Sequence, residues 1–144
     1  MIAFLDTSTL VKLYHKELNS SKIMVSLGKI DNIYLSELSK IEFRSALWKK
    51  VRTKEIENNR AKTVISLFEA DVDKFKWVNI NSNLINKASN LLYRFGESGL
   101  RTLDSIQLAT ALTLKNRACL YYTEDKLLKK IFLNLELNVF DIKV

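Results

Sequence analysis

Hydrophobic positions follow two rhythms along this chain. Four short, mostly apolar runs, Ile2–Leu5, Ile33–Leu35, Cys119–Tyr122 and Asn138–Phe140, read as buried strands, with Trp77–Ile80 a weaker fifth. Between them apolar residues recur every three or four positions, the spacing of one helix face. Leu10, Leu13 and Tyr14 mark a first helix, and Ile23, Val25 and Leu27 a second that ends near Gly28. Leu38, Ile41, Ala46, Trp48 and Val51 predict a third, and Val64, Leu67, Phe68, Val72 and Phe75 a fourth. Leu84, Ile85, Ala88, Leu91, Leu92 and Phe95 form a fifth, closed by the Gly96–Gly99 loop. Ile106, Leu108, Ala109, Ala111 and Leu112 belong to a sixth, and Leu127, Leu128 and Ile131 to a seventh.

Short apolar strands alternating with helices predict a parallel sheet covered on both faces. The expected fold class is therefore α/β: a three-layer α/β/α sandwich around a short, mainly parallel sheet of four or five strands. Ligands of such folds bind beyond the carboxyl ends of the strands. The chain has no proline and three glycines, so connections between elements should be tight. Repeats, low-complexity tracts and linker-like segments are absent, and residues 1–144 read as one domain.

Composition narrows the function classes. No run approaches about 20 apolar residues, so nothing should span a membrane, and the start lacks the basic flank of a signal peptide. The lone Cys119 excludes an internal disulfide and fits a cytoplasmic location; its apolar surroundings suggest a buried structural thiol. With one histidine, His15, and one cysteine, a conventional zinc site is excluded. The net charge of +7 is compatible with a polyanionic partner.

Four acids stand out against this background. Asp6 directly follows the first strand and Asp125 the fourth run, where the binding crevice should open. Asp104 opens a strongly apolar helix, and Glu42 lies four residues from both Leu38 and Ala46, on the face expected to pack. Asp6, Asp104 and Asp125 each suit a helix cap or first turn equally well. A buried glutamate needs a ligand or a partner. If all four converge, repulsion of roughly 3 kcal/mol per pair at 5 Å and an effective dielectric of 20 calls for a cation. All-oxygen ligation favours Mg²⁺ or Mn²⁺.

The same residues fall into four blocks that resemble the PIN domains, and among them the VapC-type toxin ribonucleases. "FLDTSTLVKLYHKE" looks like the opening strand and D-[TS]-S-x-L-x-K-x-Y of that family. "LSELSKIEFRSAL" is similar to its serine-rich turn and helical glutamate, "LRTLDSIQLATAL" to its Asp-initiated helix, and "LYYTEDKLL" to its strand and T-x-D. The blocks keep the family order and run from Met1 to about Leu128.

The resemblance implies that Asp6, Glu42, Asp104 and Asp125 form a catalytic quartet for Mg²⁺- or Mn²⁺-dependent cleavage of RNA phosphodiesters. Asp6, Asp104 and Asp125 would be the metal ligands, with Glu42 either a ligand or a base. Thr7, Ser8, Ser105 and Thr123 would sit beside them, Thr123 orienting a ligand or water. Thr7 and Ser8 would also finish the first helix, leaving the Asp6 carboxylate free for the ion. Also implied are a VapB-like antitoxin and a homodimer, with Phe43/Leu47 and Leu91/Leu92/Phe95 as contact faces if they are not core.

Setting the quartet aside leaves 23 basic residues against 12 acidic ones, a surface suited to RNA phosphates. Lys12, Arg44, Lys49, Arg94, Arg101 and Lys126 are the candidate contacts. Three alternatives remain: an inactive RNA- or antitoxin-binding domain on the same fold, a protein acting mainly by binding DNA with an antitoxin, and an Asp-nucleophile phosphatase. Ser8 occupies the place where the phosphatase would want a second Asp.

Overall fold

The computed structural model describes residues 1–142. Its elements run β1 (Ile2–Leu5), α1 (Thr7–Tyr14), α2 (Ser20–Leu27), β2 (Asn32–Ser36), α3 (Leu38–Arg52) and α4 (Asn58–Asp71). They continue with β3 (Lys76–Val78), α5 (Ser82–Phe95), α6 (Thr102–Leu112), β4 (Cys119–Tyr122) and α7 (Lys126–Asn134). All seven expected helices are present.

The strands form one parallel sheet in the order β3-β2-β1-β4. Strand β1 pairs Ile2 with Asn32 and Cys119, and Leu5 with Tyr122. Alternation along β1 builds two cores. Ile2 and Phe4 face Leu91, Leu108, Leu128 and Phe132 of α5, α6 and α7. Ala3 and Leu5 face Leu10, Ile23, Phe43, Leu47 and Phe68 of α1 to α4. Phe43 and Phe68 anchor that second core, their ring centroids 4.3 Å apart. This is the expected α/β/α sandwich, because a strand covered on both faces must be apolar at every position.

Several local expectations are corrected. Asn138–Phe140 is not a strand; it makes a single parallel bridge, Val139 to Tyr121, while Phe140 stacks on Tyr122 at 4.8 Å. Three residues tethered at one point do not make a ladder, but they cover the edge of β4. Trp77–Ile80 shifts to Lys76–Val78. Phe75 lies outside α4, which ends at Asp71 and tightens into a 3₁₀ turn over Val72–Lys74. Val25 and Ile41 share helical spacing with apolar neighbours yet are 77% and 70% exposed. The packed face of α3 is Ser39, Phe43 and Leu47, one position round from the Leu38–Glu42–Ala46 stripe. Phe43, Leu47, Leu91 and Phe95 are buried, which makes them core rather than docking surface.

The glycine loop before α6 is tied down. Leu100 is buried and donates to the Phe95 carbonyl, and Gly99 donates to Gly96. Gly99 adopts φ 109°, a conformation that side chains rarely tolerate, and it sets the entry of α6.

Candidate active site

Chain order reverses around β1: β2 and β3 lie on one side of it, and β4 returns on the other. A crevice opens at such a switch point, beyond the carboxyl ends of β1 and β4. Because Leu5 pairs with Tyr122, the next residues on each strand, Asp6 and Thr123, emerge side by side. The Asp6 amide still donates to the Tyr122 carbonyl, at 3.2 Å.

Asp6 is 4% exposed and is the N-cap of α1: Oδ1 accepts from the Thr9 amide at 3.0 Å and from the Ser8 hydroxyl at 2.7 Å. Thr123 donates its hydroxyl to Oδ2 in a short hydrogen bond. The cap is thus made by the carboxylate, not by Thr7 and Ser8 as expected. Burial pushes the Asp6 carboxyl up from 3.8 to about 6, although every one of these donors pulls it down. Ser8 also accepts from the Glu124 amide at 3.1 Å, linking the start of α1 to the β4–α7 loop.

Asp125 caps α7 in the same way, Oδ1 accepting from the Leu128 amide at 2.7 Å. Its own amide donates to the Thr123 hydroxyl at 3.1 Å, so Thr123 bonds to Asp6 and to the backbone of Asp125. Thr123 therefore orients an acid directly. Asp104 stands in the first turn of α6 and lines a cleft of about 370 Å³ with Glu42, Arg101, Thr102 and Leu103. Its carboxyl is raised first by burial, then by the negative charges of Asp125 and Glu42, with Arg101 opposing. Asp104 therefore lies in the field of two other acids of the set.

Glu42 is half-buried at the rim of α3. Its Oε1 accepts from the Thr7 hydroxyl at 2.7 Å and from the Gln107 side-chain nitrogen at 2.8 Å. Neutral donors thus satisfy it, in place of an Arg or Lys. Among the described residues none of the four acids lies within ion-pair distance of a cation. No three of them, in the same described set, approach closely enough to enclose an ion as they stand.

Ser105 does not join the acids: it is buried and donates to the Thr102 carbonyl at 2.6 Å, bracing the first turn of α6. His15 caps the opposite end of α1 from Asp6. Burial pushes the Cys119 thiol up to about 11, consistent with an inert core group. Residue-type reasoning missed Ser39 and Gln107. Each sits three positions from a quartet acid on the same helix, Ser39 before Glu42 and Gln107 after Asp104, so helical spacing was the available signal.

The basic candidates divide. Lys12 donates to the Leu18 carbonyl at 2.8 Å and lies 3.9 Å from Glu124, and Arg44 pairs with Glu69 at 3.1 Å. Arg94 covers the Phe95 ring. Arg101 lines the acidic cleft, and Lys49 lines an adjoining groove of about 450 Å³ together with Arg52. Lys126 is exposed at the start of α7.

Solved structures with the same fold include FitAcB from Neisseria gonorrhoeae, at TM-score 0.70 and 16% identity, covering 98% of this chain and 97% of that one. VapBC-1 from nontypeable Haemophilus influenzae matches at TM-score 0.67 and 16% identity over 98% of each chain. VapC20 from Mycobacterium tuberculosis, described as a sarcin-ricin loop cleaving toxin, matches at TM-score 0.65 and 15% identity, over 90% of this chain and 94% of that one. No curated protein sequence matches. A family model, PIN domain, matches residues 3–132, nearly the whole sequence, and the chain belongs to the PIN domain family.

Proposed function

We propose that this protein is a divalent-metal-dependent endoribonuclease, a single PIN domain acting as the toxin of a VapBC-like pair. What supports the reading is that Asp104 lies in the field of Asp125 and Glu42, that Thr123 bonds to both Asp6 and the Asp125 backbone, and that none of the four has a cation partner among the described residues. Such a set fits a hard cation: every donor is a carboxylate oxygen, and burial together with repulsion from Asp125 and Glu42 raises Asp104. Asp6, Asp104 and Asp125 would hold Mg²⁺ or Mn²⁺. Bound there, the ion supplies Lewis acidity, neutralising phosphate charge and acidifying the attacking water.

The chain's own groups do the rest. Glu42, held through Oε1, lines the cleft beside Asp104, and its second oxygen would accept a proton from that water. Arg101 meets the phosphate beside Asp104, and Lys49 and Arg52 take the strand further along the groove. Unpaired or looped RNA fits this approach, since its backbone can enter a crevice. The VapBC-1 and FitAcB neighbours support an antitoxin partner; a homodimer and a cytoplasmic setting belong to the same proposal. No helix among the described residues is long and apolar enough to cross a membrane.

Purified protein incubated with single-stranded RNA should cleave it in Mg²⁺, stop in EDTA, and lose activity on Asp104→Asn. Cleavage unchanged by both EDTA and the substitution would refute the reading. A second reading, a binding-only PIN domain, is favoured by the spacing of the described acids, no three of which form a ready-made cage. It predicts RNA or antitoxin binding with no cleavage in any metal.

A further inference from the structure

The polar network around Glu42 acquires a direction once its hydrogens are assigned. Gln107 is 2% exposed, and its side-chain nitrogen has two hydrogens for three acceptors: Glu42 Oε1 at 2.8 Å, Ser39 Oγ at 3.0 Å and Thr7 Oγ1 at 3.2 Å. The Thr7 hydroxyl donates to Glu42 Oε1, so Ser39 is the donor in the 2.9 Å contact between Ser39 and Thr7. The two amide hydrogens then serve Ser39 and Glu42, the nearer acceptors. Every hydrogen leads to Glu42 Oε1, directly or through hydroxyls. Reversing the amide would set oxygen against oxygen, so the carboxylate determines its orientation.

This arrangement leaves the Gln107 Oε1 buried and without a partner. An orphaned buried acceptor is destabilising, and a methionine of similar shape would avoid it. The amide nitrogen is therefore the reason for a glutamine here. Its bonds join α6, which carries Asp104, to α1 and α3.

We propose that Gln107 is a positioning residue: together with Thr7 and Ser39 it holds Glu42 by one oxygen, Oε1, and so fixes the carboxylate in the wall of the acidic cleft with Oε2 left for the reaction. The role of that second oxygen rests on the nuclease reading above. Gln107 touches neither RNA nor metal and acts only through Glu42.

The test is steady-state cleavage of a fluorogenic single-stranded RNA in Mg²⁺ by Gln107→Met and Gln107→His. Methionine keeps the volume and removes the donor, while the histidine Nε2–H restores a donor at similar reach. Gln107→Met should lower kcat at least 10-fold with KM within 3-fold of wild type, and Gln107→His should recover most of the loss. A kcat loss under 10-fold, a loss carried by KM, or a histidine variant as slow as the methionine one would each overturn the proposal. Should wild type not cleave RNA, the nuclease reading fails separately. A urea double-mutant cycle of Gln107→Met with Glu42→Ala in EDTA then judges the positioning bond: non-additive midpoints support it, additive ones overturn it.

Discussion

Replacing Asp6 with asparagine should stabilise the metal-free protein at neutral pH. The Asp6 carboxyl is almost wholly buried, and its three donors, Thr9, Ser8 and Thr123, do not offset the loss of hydration. Its value therefore stands at about 6, against an ordinary 3.8. Between those limits the folded protein holds a proton that the unfolded chain has released. Stability must then fall as pH rises through that window. At about 1.36 kcal/mol per pH unit, the interval amounts to about 3 kcal/mol, fully lost above pH 7.

Asparagine keeps the cap acceptor and presents an amide to Thr123, whose hydroxyl oxygen can accept, so little else changes. Thermal unfolding followed by circular dichroism in EDTA, from pH 4 to 8, measures the difference. At pH 7.5, Asp6→Asn should melt higher by up to about 10 °C, at about 3–4 °C per kcal/mol for a chain of this size. The gap should close as pH falls below 4. Added Mg²⁺ should raise wild type and leave the variant where it was. A variant less stable than wild type at pH 7.5, or a gap that does not change with pH, would refute the account of a strained, desolvated carboxylate.

Two further outcomes follow from the same geometry. Thr123→Val removes the donor to Asp6 Oδ2 and the acceptor for the Asp125 amide, and should cost about 1–3 kcal/mol in urea unfolding. That loss should be greater at pH 7.5 than at pH 5, because the missing donor serves the ionised carboxylate; equal losses would refute it. Arg101→Ala should raise KM for RNA several-fold and flatten the dependence of log kcat/KM on log salt by about 0.7, one phosphate contact on a single strand. An unchanged salt slope would exclude Arg101 from substrate binding.

The apolar rhythm was enough to read the alternation of strands and helices, since Ile2–Leu5 and Cys119–Tyr122 are apolar at every position for the plain reason that both their faces are covered. It was also enough to pick out the four acids, because a carboxylate at a strand end or inside an apolar helix is conspicuous in one dimension. It misjudged elements at the margin. Asn138–Phe140 looks like a strand, yet pairing is a property of two segments and this one meets β4 at a single residue.

The partners of each acid were beyond reach for the same reason. Thr7 and Ser8 are adjacent and chemically alike, but one bonds to Glu42, 35 residues away, and the other to Asp6. Thr123 reaches Asp6 across 117 positions, and Gln107 reaches Glu42 across 65. Local chemistry along the chain set which residues could carry charge, cap a helix or pack. Only the sheet register and the packing of α1, α3 and α6 determined which carboxylate met which donor. Desolvation and hydrogen bonding, the two effects that tune this site, act through space and not along the chain.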